Sequence, residues 1–147
     1  MLQEQFYMKK FDCKVEKVHV SLKNNDIIDS FGGLKVIHVP GHTPGSIALY
    51  QSEKKVMIFG DVIRNKGDKG LVIGVPDKFN FDTNQTIKDA QLLSAYPIKI
   101  ALFGHGIPIS NNVQEILLTA QTQKEFEMNK RLKKAAAKLA GQYFPSE

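Results

Sequence analysis

Two prolines and two glycines fall within the six residues Pro40-Gly41-His42-Thr43-Pro44-Gly45, and they decide what the surrounding chain can become. Pro40 and Pro44 lack a backbone donor and fix φ, while Gly41 and Gly45 permit backbone angles closed to other residues. Neither a helix nor the middle of a strand tolerates that combination, so Gly41 to Ser46 reads as a stiff loop between two elements. A histidine held on such a loop loses little entropy when it binds a metal or a substrate, and loops between strands are where scaffolds carry chemistry. The plainer alternative is a capped turn with a solvated ring.

The flanking sequence supplies the strands. Val18, Val20 and Leu22 alternate with polar residues, so Val15 to Leu22 reads as a half-buried strand with His19 pointing away from the core. Lys23-Asn24-Asn25-Asp26 is a turn signal, Ile27-Ile28 starts a short return strand, and Phe31-Gly32-Gly33 turns again. Leu34 to Val39 feeds directly into the opening loop. Ile47 to Gln51 and Lys55 to Phe59 then form a hairpin about Ser52-Glu53-Lys54, ended by Gly60-Asp61. Arg64 to Gly70 is polar and charged, which predicts an exposed loop, and Leu71 to Phe81 carries no clear pattern.

Asp82 or Thr83 caps a helix to about Tyr96, with Ile87, Ala90, Leu92, Leu93 and Tyr96 as its apolar positions and Pro97 as its stop. Ile98 to Phe103 is an apolar strand broken only by Lys99, closed by Gly104-His105-Gly106. Asn111 or Asn112 caps a final helix over residues 112–140, with Gly141 as its C-cap.

A chain of 147 residues with 42% hydrophobic content can bury a core of its own. Its net charge of +5 favours anionic substrates or partners. Cys13 is the only cysteine, which rules out an internal disulfide and any cysteine-cluster zinc site and fits a reducing cytoplasm. Met1 to Phe11 has no apolar signal region, and no run of about 18 apolar residues exists to span a membrane, so a soluble, unexported protein is expected.

Three polar residues occupy equivalent positions. His42, Asp61 and His105 each stand at or just beyond the end of an apolar strand, beside glycine. Strand ends pointing the same way from one sheet bring distant residues together. Two imidazoles and a carboxylate are donors that a borderline divalent cation such as zinc accepts.

These residues resemble the metallo-β-lactamase-fold hydrolases. Leu34 to Ser46, containing His38-Val39-Pro40-Gly41-His42-Thr43-Pro44-Gly45-Ser46, is similar to that family's third metal motif. Val56-Met57-Ile58-Phe59-Gly60-Asp61 is similar to its fourth and Phe103-Gly104-His105-Gly106 to its fifth, in the family's order, so the similarity covers about Val18 to Val113. The resemblance implies an α+β, αββα sandwich, of which residues 1–147 form a single partial domain containing the C-terminal sheet and helices. It makes His42 a ligand of one metal, His105 a ligand of a second, and Asp61 the carboxylate bridging both. In the family a hydroxide shared by two cations, commonly zinc, attacks a carbonyl or phosphorus centre. The branch cleaving small esters, thioesters and lactones fits best, since a spacing of 44 from Asp61 to His105 leaves no room for the large insert of the nucleic-acid-cutting branch.

The family's HxHxDH signature is absent, because the four histidines are His19, His38, His42 and His105. Each metal would keep one imidazole and a share of Asp61, whereas catalytic zinc usually has three protein ligands and an open position. His38 and His42 have helical metal-clip spacing, but Pro40 and Gly41 exclude the helix, leaving His38 a strand residue. A sheet covered by helices on one face implies self-association or a partner, such as a separately encoded N-terminal half. Two other functions compete with the hydrolase: a non-catalytic subunit or pseudoenzyme serving assembly, and a basic helix binding nucleic acid or acidic surfaces. For the last, Lys124, Lys130, Arg131, Lys133, Lys134 and Lys138 stand against three acidic residues in the tail, with no recognised reading motif, which describes a solvated helix face better.

Overall fold

The loop from Pro40 to Ser46 does join two strands. The computed structural model describes residues 17–143, and β2 (Leu34–His38) and β3 (Ile47–Gln51) pair antiparallel across that loop, with Ile37 opposite Ala48. A two-residue β1 (Ile27–Ile28) lies on the outer edge of β2, and β4 (Val56–Ile58) completes the hairpin with β3. Beyond β4 the sheet gains β7 (Ile100–Leu102), which runs parallel to it with Ile58 beside Leu102. The order of the five-stranded sheet is β1-β2-β3-β4-β7.

A parallel pair needs a crossover, and the chain between β4 and β7 supplies one. It holds β5 (Ile63–Asn65), β6 (Leu71–Ile73) and α1 (Thr83–Ser94). With β8 (Gln121–Thr122), β5 and β6 form a second sheet in the order β5-β6-β8. The helices α2 (Val113–Leu118) and α3 (Gln123–Tyr143) follow, giving an α+β chain of two sheets and three helices among the described residues.

The core lies between the larger sheet and the first two helices. Ile37, Ala48, Tyr50, Met57, Phe59 and Ala101 cluster there with Ala90 and Leu93 of α1 and Val113 and Leu117 of α2. Met57 and Phe59 are fully buried, and each side chain removed from water contributes about 2 kcal/mol. Phe59 stacks on Phe103 at 5.5 Å, tying the ends of β4 and β7 together. Tyr50 meets Tyr96 edge-on and donates its hydroxyl to Pro97 O at 2.8 Å. Burial, and then Tyr96, raise the Tyr50 pKa above its ordinary value.

Four expectations need correction. Between residues 17 and 22 there is no strand, and Val18, Val20 and Leu22 are exposed; β1 holds the edge beside β2, so this segment has no ladder to join, while Val15 lies outside the described residues. Arg64 to Gly70 is not all exposed loop, because Arg64 and Asn65 are buried in β5. Burial is tolerated there because Arg64 Nε donates to Gly74 O at 2.6 Å and its terminal nitrogen to Gln123 Oε1 at 3.0 Å. Leu92 of α1 is exposed, and the helix instead buries Thr86, Asp89, Ala90 and Leu93.

The expected single helix over 112–140 is interrupted as well. It stops at Thr119, pairs Gln121 and Thr122 with β6, and restarts at Gln123, running past Gly141 to Tyr143. The restart is a reciprocal cap. Thr122 N and Oγ1 both donate to Glu125 Oε2 at 2.8 Å, and Glu125 N donates back to Thr122 Oγ1 at 3.3 Å. Those two donors hold the Glu125 carboxyl below its ordinary pKa. No helix among the described residues is long and apolar enough to cross a membrane.

Candidate functional site

The sheet topology alone brings the three polar residues to one edge. Ile58 and Leu102 are register partners on parallel strands, and Asp61 and His105 each follow three residues later. The pairing continues past the strands, with Phe59 N donating to Leu102 O and Gly104 N to Gly60 O, both at 2.8 Å. Because β3 runs antiparallel to β4, the loop that carries His42 opens at this same edge.

Asp61 is the centre of the arrangement. His42 Nε2 lies 3.7 Å from Asp61 Oδ2, and His105 Nε2 lies 3.4 Å from Asp61 Oδ1. The two rings differ in exposure, at 20% for His42 and 66% for His105. Asp61 Oδ1 is buried and has no hydrogen-bond partner. Gly104 permits this approach, since a Cβ there would sit 2.8 Å from Asp61 Oδ1.

The His42 loop is fastened from several directions. Phe81 N donates to His42 O at 2.9 Å, Asp82 N to Gly41 O at 2.8 Å, and Gly41 N to the buried carboxylate of Asp89 at 2.9 Å. Gly41 packs so closely on α1 that a Cβ would collide with the backbone of Thr86. The ring is held too, with Nδ1 3.3 Å from Asn80 Oδ1. On the other side, Asn65 N donates to His105 O at 3.0 Å and Asn65 Nδ2 to Ile107 O at 2.8 Å, so β5 holds that loop by its backbone.

A buried carboxylate oxygen with no donor is costly unless a positive charge or a proton faces it. Each oxygen of Asp61 faces one imidazole nitrogen, so the donors form two half-sites that share one carboxylate. Their chemistry suits a borderline divalent cation. Arg64 adds a positive charge that Asp61 acts on: burial lowers its pKa from the ordinary value, and the Asp61 charge acts in the opposite direction. Among the described residues no three His, Cys, Asp or Glu side chains converge on one ion position.

His38 stands apart on exposed strand end β2, where its Nε2 meets Pro44 O at 2.8 Å, and His19 is exposed far from this edge in sequence. Sequence reasoning missed Asn80 and Asp89. Asn80 falls in the stretch without a pattern. Asp89 did leave a signal, because it shares the helical spacing of Thr86, Ala90 and Leu93, where a carboxylate requires a buried partner.

Residues 14–105 match the family model of the metallo-beta-lactamase superfamily. The chain belongs to that superfamily. Among curated proteins it is 35% identical over 81 residues to the hydroxyacylglutathione hydrolase GloC of Haemophilus influenzae, covering 54% of this chain and 35% of the relative. It is 32% identical over 83 residues to the probable metallo-hydrolase YflN of Bacillus subtilis, covering 50% of this chain and 31% of that protein. The chain therefore spans about a third of the length of these relatives. The solved metallo-beta-lactamase family protein TTHA1429 of Thermus thermophilus shares the fold, with a TM-score of 0.54 at 16% identity over 99% of this chain and 48% of that one. This superfamily's partial fold matches the α+β architecture anticipated from the three motifs.

Proposed function

We propose that the chain is a metal-dependent hydrolase of small ester, thioester or lactone substrates, with thioesters first. Supporting the reaction class are the superfamily membership and the partial similarity to a hydroxyacylglutathione hydrolase. The observation that carries the reading is the shared carboxylate, with Asp61 Oδ1 buried, without a hydrogen-bond partner, and 3.4 Å from an imidazole nitrogen. In this reading His42 and Asp61 hold one divalent cation, His105 and Asp61 hold a second, and zinc is the first candidate for both. Such a cation pair supplies an activated water and charge stabilisation for the oxyanion. The chain's own residues hold the donors in place: Asn65 anchors the His105 backbone, while Phe81 and Asp89 anchor the His42 loop. The positive net charge favours an anionic thioester, and the lone cysteine favours a reducing cytoplasm.

One imidazole and one carboxylate oxygen per cation fall short of the usual three protein ligands. The remaining ligands, in this proposal, come from another polypeptide segment: a separate N-terminal half or a second copy of the chain. A stable monomer in light scattering across micromolar concentrations would contradict completion by a second copy and leave only the separate half. A thioester, lactone and aryl ester panel with added zinc, manganese or iron tests the activity. Turnover that a chelator removes and Asp61→Ala abolishes is expected; turnover indifferent to both contradicts the reading. The lack of a three-donor cluster among the described residues favours a second reading, a non-catalytic assembly subunit, for which no metal-dependent turnover appears in any such panel.

A further inference from the structure

We propose that Asn80 is a positioning residue for His42, fixing its neutral ring with the proton on Nδ1 so that the Nε2 lone pair faces Asp61. The use made of that lone pair rests on the metal reading above; the tautomer itself does not.

The inference follows from the bonds around one amide. Asn80 is buried at 7% exposure and follows a 3₁₀ turn over Asp77–Phe79. Its Nδ2 lies 3.0 Å from Val75 O and 3.3 Å from Thr83 Oγ1. A backbone carbonyl only accepts, so the nitrogen of the amide must face Val75; turning the amide over would set two acceptors against each other. The Thr83 hydroxyl donates to Asp77 Oδ1 at 3.3 Å, which leaves its lone pairs for Asn80. Both neighbours therefore select the same orientation.

With the amide oriented, Oδ1 is the atom that meets His42 Nδ1 at 3.3 Å. That oxygen cannot donate. A neutral imidazole carries one N–H, so the proton belongs on Nδ1 and the lone pair on Nε2. Either tautomer sets one ring lone pair toward an acceptor, but the opposite one does so at the 3.3 Å contact with Asn80, while the Asp61 oxygen at 3.7 Å lies beyond a good hydrogen bond. The next residue completes the grip, since Phe81 N holds His42 O at 2.9 Å. The dipeptide Asn80-Phe81 thus fixes both the backbone and the ring of one histidine. A histidine that ligates through one nitrogen gains orientation and basicity when the other donates to an acceptor, which is the service Asn80 performs.

The test is a long-range ¹H–¹⁵N correlation spectrum of the metal-free chain, at a pH high enough to keep the rings neutral. Wild-type His42 is expected with its proton on Nδ1, while exposed His19 serves as a solvated reference. In Asn80→Ala the His42 signal should move to the pattern of the reference. Asn80→Asp keeps an acceptor and should keep the Nδ1 proton, although its carboxylate suits the Val75 carbonyl worse than alanine does. A merely structural role predicts the reverse ranking. The wild-type spectrum alone decides the matter if the variants fail to fold. Zinc titration is a separate readout, with Asn80→Ala expected to bind roughly 10- to 100-fold more weakly. A wild-type His42 protonated on Nε2, or an unchanged ring in Asn80→Ala, overturns the proposal whatever zinc does. An Nδ1 proton in a chain that takes up no zinc leaves the role of Asn80 standing and removes instead the reading in which copies of this chain complete the metal site by themselves.

Discussion

The two histidine loops reach the same carboxylate by different means. His42 is mostly buried, its ring bonded to Asn80 and its loop fastened to α1 through Gly41, Asp89 and Asp82. His105 is largely exposed, and its loop is fixed by backbone bonds to Gly60, just past β4, and to Asn65 of β5. One wall of the site is therefore built into the core and the other is laid over it. A preorganised ligand loses little entropy on binding, whereas an exposed one must be ordered at that moment. Stability and site geometry should be coupled at His42 and nearly independent at His105.

The sharpest way to break this contrast is within the His42 loop itself. Gly41→Ala forces a Cβ into the Thr86 backbone and should destabilise the chain by about 3 kcal/mol in urea unfolding. Gly45→Ala, four residues on, meets nothing within 4 Å and should stay within about 0.5 kcal/mol of wild type. Equal costs would mean that the loop is not seated on α1. Next in size is Asp89→Ala, which strips the acceptor from the buried Gly41 N–H and from Gln85 Nε2 and should cost about 2 kcal/mol. The smallest effect belongs to His105→Ala, expected within about 0.5 kcal/mol by the same unfolding assay. A larger loss would show that the exposed wall also carries fold stability.

The same contrast governs what could be read in the sequence. Strand ends, glycines and the loop prolines act locally, so β2, β3, β4, β7 and the edge where His42, Asp61 and His105 meet are legible in the sequence. The register that sets Asp61 beside His105 follows from the parallel β4 and β7 pair. Contacts that depend on a distant partner were hidden. Arg64 looked like a loop residue because Gly74 and Gln123, which satisfy its guanidinium, lie far along the chain. Val18 to Leu22 alternates as a strand should, yet alternation does not supply a neighbour to pair with. The break at Thr122 is available in principle, since Thr122-Gln123-Lys124-Glu125 has the spacing of a reciprocal helix cap. Asn80 had no pattern at all, since its importance lies in one buried amide orientation.

The most direct measurement of the shared-carboxylate site is zinc retained after equilibrium dialysis, read by elemental mass spectrometry, for the wild-type chain beside Asp61→Ala. Because both half-sites draw on Asp61, the wild type should retain zinc and the variant should retain at least about tenfold less. Equal retention by the two chains would contradict the assignment of Asp61 as the carboxylate that His42 and His105 share, and none by either would show that this chain holds no zinc without a further segment.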